Sequence, residues 1–262
     1  MIRHGRINWI LLIVCLVGIT AVTLTFIGLR TWHRTNRSKQ GFARGTQAFE
    51  QKDWENAAFN LGQYLSVNPQ DVEILHKYAE ALLSIRPLKR AHLDQAIRAY
   101  NQILRIEDNE QAAKRLLGIY LQRGDNAEVI SLATDYLSRT KDASISLLLA
   151  EALIKQKNYT QAFERIQGIL EQEPANTEAF QLMSILAEGA SNVTDKSPIQ
   201  WLSAAVETDP GHPRPYLYRA AYLQQHEDFK QALEDLNQAE SLPYEVPDDR
   251  IRLATLLLMP AV

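Results

Sequence analysis

A single cysteine in 262 residues, Cys15, excludes an internal disulfide framework and a zinc site built on several thiolates. Because Cys15 stands inside an apolar run, it says nothing about the redox compartment. Glycine (11) and proline (10) are too sparse for a collagen-like or low-complexity chain. The common catalytic signatures are missing. There is no GxxxxGKS/T phosphate loop, no GxGxxG, no HExxH and no GxSxG elbow. The six histidines (His4, His33, His76, His92, His212 and His226) are scattered. His226-Glu227-Asp228 reads as a polar turn rather than a metal cluster, and Asp248-Asp249 as a helix start rather than an acid–base pair. The expectation is a non-enzyme with no cofactor, no metal and no small-molecule substrate.

What is present is a foldable composition, 46% apolar and 23% charged. The net charge of -3 hides an asymmetry. Residues 1–40 hold six basic groups and no acid, so the rest of the chain carries a net of -9. Binding nucleic acid requires clustered cations to neutralise phosphates, and an acidic body with a basic leader does not supply them. No nucleic-acid partner is expected.

From Trp9 to Leu29 no residue is charged. A helix of that length, at about 1.5 Å per residue, spans roughly 30 Å, the thickness of a bilayer core. Trp9 and Trp32 flank the run where indoles sit at the headgroup level, and Arg6 and Arg30 lie just outside it. The run is too long for a typical signal-peptide core, and Thr25 to Arg30 makes a poor cleavage site. The reading is a basic tail (1–8), an uncleaved single-pass helix (9–29) whose partner is the lipid bilayer, and a basic linker (30–40). Arg30, Arg34, Arg37, Lys39 and Arg44 favour a cytoplasmic body, whereas the short basic tail favours translocation. The orientation taken is a periplasmic body on a bacterial inner membrane, with the cytoplasmic orientation left open.

Beyond residue 40 the chain repeats itself. Gly45, Ala57 and Pro69 stand twelve apart, as do Ala150, Ala162 and Pro174, and Ala220 and Ala232. An aromatic precedes the second small residue by three in each block: Trp54, Tyr159 and Phe229. The leading small residues fall at Gly45, Ala79, Gly118, Ala150, Ser184, Ala220 and Ala254, in steps of 34, 39, 32, 34, 36 and 34. This pattern resembles the tetratricopeptide repeat (TPR), a 34-residue unit of two antiparallel helices, over about residues 38–258. Small residues let helices approach closely, and Pro69, Pro174 and Pro210 end second helices. The predicted fold is all-α: the transmembrane helix, then an α-solenoid over 41–246. Its six pairs are 38–71, 72–110, 111–142, 143–176, 177–212 and 213–246. A capping or half-repeat helix over 247–262 completes it.

The resemblance implies that first helices line a concave surface for other proteins or peptides. The family's inward positions map to Phe42, Thr46, Phe49, His76, Glu80, Leu83, Arg115, Ile119 and Gln122. They continue through Leu147, Glu151, Ile154, Gln181, Ile185, Glu188, Leu217, Ala221 and Gln224. The Lys/Asn carboxylate clamp of chaperone-binding members is missing, since its places hold Phe42/Thr46, His76/Glu80 and Leu147/Glu151. The function expected is a membrane-tethered scaffold or adaptor. The alternatives are a structural subunit of a larger membrane assembly, or the regulatory part of a longer protein.

Overall fold

The structure is a computed structural model that describes residues 35–258. The predicted membrane helix at 9–29, with its interfacial residues Trp9, Arg30 and Trp32, lies outside the described residues. Among the described residues no helix is long and apolar enough to cross a membrane.

Thirteen helices and no strand make up the described chain. They are α1 (35–50), α2 (Trp54–Leu65), α3 (Val72–Ser84), α4 (Arg90–Ile106), α5 (Glu110–Arg123) and α6 (Asn126–Leu137). Next come α7 (Ala143–Lys155), α8 (Tyr159–Gln172), α9 (Thr177–Gly189), α10 (Pro198–Thr208), α11 (Pro213–Gln225), α12 (Phe229–Glu240) and α13 (Pro247–Leu257). They fall into two compact units that part at Ala112, inside α5. In the first unit α2 packs on α3, and α3 on α4. In the second, consecutive helices from α6 to α12 pack on one another, and α13 lies on α11 and α12. Contacts of α7 with α9, α9 with α11 and α11 with α13 set the first helices of successive pairs side by side.

Local chemistry explains the helix starts. Side chains of Asp53, Asp71, Asp142, Asn176 and Asp228 each accept a backbone N–H from the first turn of α2, α3, α7, α9 and α12. Pro198, Pro213 and Pro247 open α10, α11 and α13, where a missing N–H costs nothing. Asp248 and Asp249 occupy the first turn of α13. Pro69, Pro174 and Pro210 lie in the turns that follow α2, α8 and α10.

The small residues mark the helix crossings. Ala57, Ala79, Ala96, Ala150, Ala162 and Ala220 are all 0% exposed, and Ser184 and Ala232 nearly so. Gly45 is the tightest case. A Cβ there would lie 2.6 Å from Leu61 Cδ2 and 2.9 Å from the Leu61 backbone nitrogen, so α1 touches α2 almost backbone to backbone. Two positions depart from the pattern. A Cβ on Gly118 would meet nothing within 4 Å. Ala254 is exposed, because no second helix covers α13 among the described residues.

The turns between paired helices repeat as well. Lys52, Gly124, Lys157 and Glu227 each adopt positive φ, two residues before the next helix (59°, 79°, 62° and 63°). Each donates its N–H to the carbonyl three residues back. The following residue donates five back, for example Lys157 to Ile154 and Asn158 to Leu153. This left-handed turn closes the last carbonyls of the first helix.

Two predictions follow from this geometry, both read by urea unfolding. Gly45→Ala is expected to destabilise by about 1–3 kcal/mol through overpacking, whereas Gly118→Ala stabilises by about 0.5–1 kcal/mol. Lys157→Gly is expected to stabilise by about 0.5–1 kcal/mol by relieving the left-handed conformation, whereas Gly124→Ala, at the equivalent place, destabilises by at least as much.

Candidate protein-binding surfaces

In the first unit, part of the predicted groove set packs within the helix pairs. Phe42 is 43% exposed, yet its ring lies 5.2 Å from that of Tyr64 on α2. Phe49 stacks edge-on against Trp54 at 5.5 Å, and His76 against Tyr100 at 6.0 Å. His76 Nε2 is also 3.1 Å from Asn109 Oδ1, which accepts the Ala112 N–H. Thr46 Oγ1 donates to the Phe42 carbonyl at 2.8 Å. Glu80 is exposed and Leu83 half-buried.

In the second unit two members of the set are corrected. Leu217 is 0% exposed, held in a cluster with Ala220, Leu236, Leu253 and Leu256. Burying its side chain against those four is worth more than presenting it to a ligand. Ile119, at 9%, is buried too. The others reach the surface in varying degree. Arg115 and Gln122 are exposed, and Leu147, Ile154, Gln181 and Ala221 are half-buried. Ile185 is 43% exposed. Glu151 pairs with Lys155 at 2.7 Å on its own helix. Glu188 reaches His226 at 3.4 Å, and the His226 ring stacks on Tyr222 at 4.1 Å. Gln224 Nε2 donates to the Leu256 carbonyl, while its Oε1 is buried without a partner. Thus α7 and α9 present an apolar residue beside an acid, Ile154 by Glu151 and Ile185 by Glu188.

His226, Glu227 and Asp228 form the turn into α12: His226 caps α11, Glu227 takes positive φ, and Asp228 caps α12. Among the described residues no group of three or more His, Cys, Asp or Glu is placed to hold a metal ion.

A charge ladder ties the first helices together. Arg214 on α11 donates to Glu178 on α9, and its Nε lies 3.0 Å from Asp249 on α13. The hydrogen bond to Asp249 holds the Arg214 guanidinium above its usual pKa. Arg219 forms a two-pronged pair with the buried Asp235 of α12, at 2.8 and 2.7 Å. That bond likewise raises its pKa. Burial pushes the Tyr218 phenol up, and Arg252 lies over that ring at 4.6 Å. Lys114 on α5 reaches the α7 cap Asp142 at 3.2 Å. The Glu178–Arg214–Asp249 ladder was missed from sequence. Its signal was there: the three stand 36 and 35 residues apart, one repeat each.

Three clefts open between second helices, floored by the first helix between them or by α9. One of about 650 Å³ in the first unit lies between α2 and α4 and includes Phe59, Tyr78, Leu82 and His92. Phe59 is 66% exposed, and His92 Nδ1 is buried there without a hydrogen-bond partner. In the second unit, a cleft of about 420 Å³ between α6 and α8 includes Leu149, Arg165 and Gly168. Another of about 650 Å³ by α8 and α9 includes Phe163, Lys196 and Trp201, with Lys196 Nζ 4.5 Å over the Trp201 ring. None of the predicted groove residues lines these three clefts. The sequence signal was an aromatic, Phe59 or Phe163, on the outward side of a second helix.

Comparisons with known proteins agree with this architecture. Residues 120–186 match the sequence profile of the tetratricopeptide repeat. Tetratricopeptide repeat protein 16 of Macaca fascicularis is 21% identical over 270 residues, covering 84% of this chain and 31% of that protein. The chain therefore spans less than a third of that relative. The crystal structure of MamA superposes with a TM-score of 0.55 at 16% identity, covering 67% of this chain and 93% of MamA. PilW, a widely conserved type IV pilus biogenesis factor, gives 0.54 at 15% identity, covering 84% and 98%. PilF of Pseudomonas aeruginosa gives 0.51 at 14%, covering 85% and 99%. The described chain has an all-α fold built of tetratricopeptide-type helix pairs, with the repeat recognised in the sequence itself over residues 120–186.

Proposed function

We propose that this protein is a membrane-tethered, non-catalytic scaffold that binds other proteins or peptides through the faces of its first helices. The observation that carries the reading is the outward face of α7 and α9, where Ile154 and Ile185 stand beside Glu151 and Glu188. Apolar anchors flanked by acids suit a segment with apolar side chains and some basic groups. The uncharged run at 9–29 supplies the tether, and a tether raises the effective concentration of whatever the body holds. The body is assigned to the periplasmic side of a bacterial inner membrane. A second reading, a structural subunit of a larger assembly, is favoured by the exposed apolar residues Ile251 and Leu258 of the α13 segment.

Site-specific photo-cross-linking in native membranes tests the scaffold. A cross-linking residue in place of Ile185 is expected to capture protein partners, and one in place of Lys157 is not. Capture at neither position, or equally at both, contradicts the reading. A reporter active only in the periplasm, fused after Val262, is expected to be active. Activity of a cytoplasm-only reporter instead would put the body on the other side.

A further inference from the structure

One side of α1 is buried along Ser38, Gly41, Gly45 and Ala48. It meets α2: a Cβ on Gly41 would lie 2.8 Å from the Asn60 carbonyl oxygen, as one on Gly45 would crowd Leu61. Ser38 Oγ accepts a hydrogen bond from Asn68 Nδ2 at 2.9 Å, which ties the early part of the helix to the turn after α2. From Ser38 onward α1 is thus a fixed part of the first unit. At about 100° per residue the opposite side presents Lys39, Ala43 and Gln47, with Arg37 and Arg44 along one edge. All five are exposed. Arg37, Lys39 and Arg44 have no ion-pair partner among the described residues. These three cations neutralise no acid of the fold. Glu50 is the first acidic residue of the whole chain. It stands in the last turn of α1, roughly 22 Å along the axis from residue 35.

The uncharged run ends at Leu29, six residues before α1 is entered at residue 35. We propose that α1 docks on anionic phospholipid headgroups through Arg37, Lys39 and Arg44, and so sets how the first unit stands on the bilayer. This rests on the membrane tether of the preceding section. Six extended residues reach roughly 21 Å. With the run in the hydrocarbon core, the start of α1 is therefore held within about 15 Å of the headgroup surface. Arg30 and Arg34 stand in that interval and add to the same charge. The sign of the charge selects the occupant. An anionic surface attracts α1 and repels the remainder of the body, which carries a net of -9. The attraction and the repulsion turn the same side of the first unit towards the membrane. Long Lys and Arg stems let the cations reach the headgroups from the edges of the face. Each Lys or Arg near such a surface favours contact about five-fold. The contact requires anionic lipid on the body's side of the bilayer, whichever side that is.

The test uses the full chain in a Cys15→Ser background, with Ala43→Cys carrying a fluorophore, reconstituted with lipid vesicles. The vesicles are phosphatidylcholine alone, or phosphatidylcholine with phosphatidylglycerol, each with a headgroup-attached quencher. Flotation with both kinds of vesicle reports the tether, and quenching of the label reports the docking of α1. Stronger quenching with phosphatidylglycerol is expected, and high salt is expected to abolish the difference. The triple variant Arg37→Gln, Lys39→Gln, Arg44→Gln, with its helix content checked by circular dichroism, is expected to fall to the quenching seen with neutral lipid. The charge-keeping pair Arg37→Lys, Arg44→Lys is expected to retain it. Flotation with both vesicles but equal quenching in both would overturn the docking and leave the tether standing. Quenching kept by the triple variant would overturn it too. So would release of the label by inorganic phosphate beyond the effect of sodium chloride at equal ionic strength, which would assign the three cations to a free anion. Flotation with anionic vesicles alone, with charge-dependent quenching, would support the docking and sink the tether.

Discussion

Close approach of two helices at a small residue is the interaction on which the rest of the structure depends. A helix with Ala or Gly at the crossing brings its neighbour's side chains down onto its own backbone. Gly45 against Leu61 is the extreme case, and Ala150, Ala162, Ala220 and Ala232 are its ordinary form. The leucines and isoleucines around each crossing, such as Leu61, Ile166, Leu217 and Leu236, are then sealed from water. No pair completes its core alone. Leu217, fully buried, shares its cluster with Leu253 and Leu256 of the following helix as well as with Leu236 of its own pair. Stability is thus shared between neighbours, as stacked repeats require.

Polar chemistry fixes the order in which the pairs stack. The Asp and Asn caps set where each helix begins, and the left-handed residue at Lys52, Gly124, Lys157 and Glu227 sets how each pair turns back. Arg214 bridges three consecutive first helices, and Arg219 locks α11 to α12 through a carboxylate that is itself buried. Removing either partner of that second pair would strand a charge, which makes it a determinant of register as much as of stability.

Much of this was legible in the sequence, for a physical reason. Small residues, aromatics and prolines recur because each place in the repeat faces the same packing problem. Trp54, Tyr159 and Phe229, each three before the second small residue, begin second helices. Gly118 and Ala254 share the spacing without the packing, since spacing records a place in the helix and not whether a neighbour fills it. Exposure was harder to read for the same reason. Ile119 and Leu217 hold positions that face a groove in the family but are buried here, because burial depends on the next helix along. The left-handed turns at Lys52, Lys157 and Glu227 left no glycine to announce them. The clefts between second helices carry no mark in the repeat spacing, because Phe59 and Phe163, which line two of them, stand outside the recurring small residues.

The central claim is that a pair with a buried small residue at its crossing is held by that crossing and supports its neighbours. Hydrogen exchange of the full chain carrying Ala162→Leu tests it most directly. Ala162 is fully buried in α8, which packs on α7 and α9. The account predicts that amide protection falls first and furthest in α7 and α8, and next in α9. Protection in α7 and α8 equal to that of the unaltered chain would contradict it.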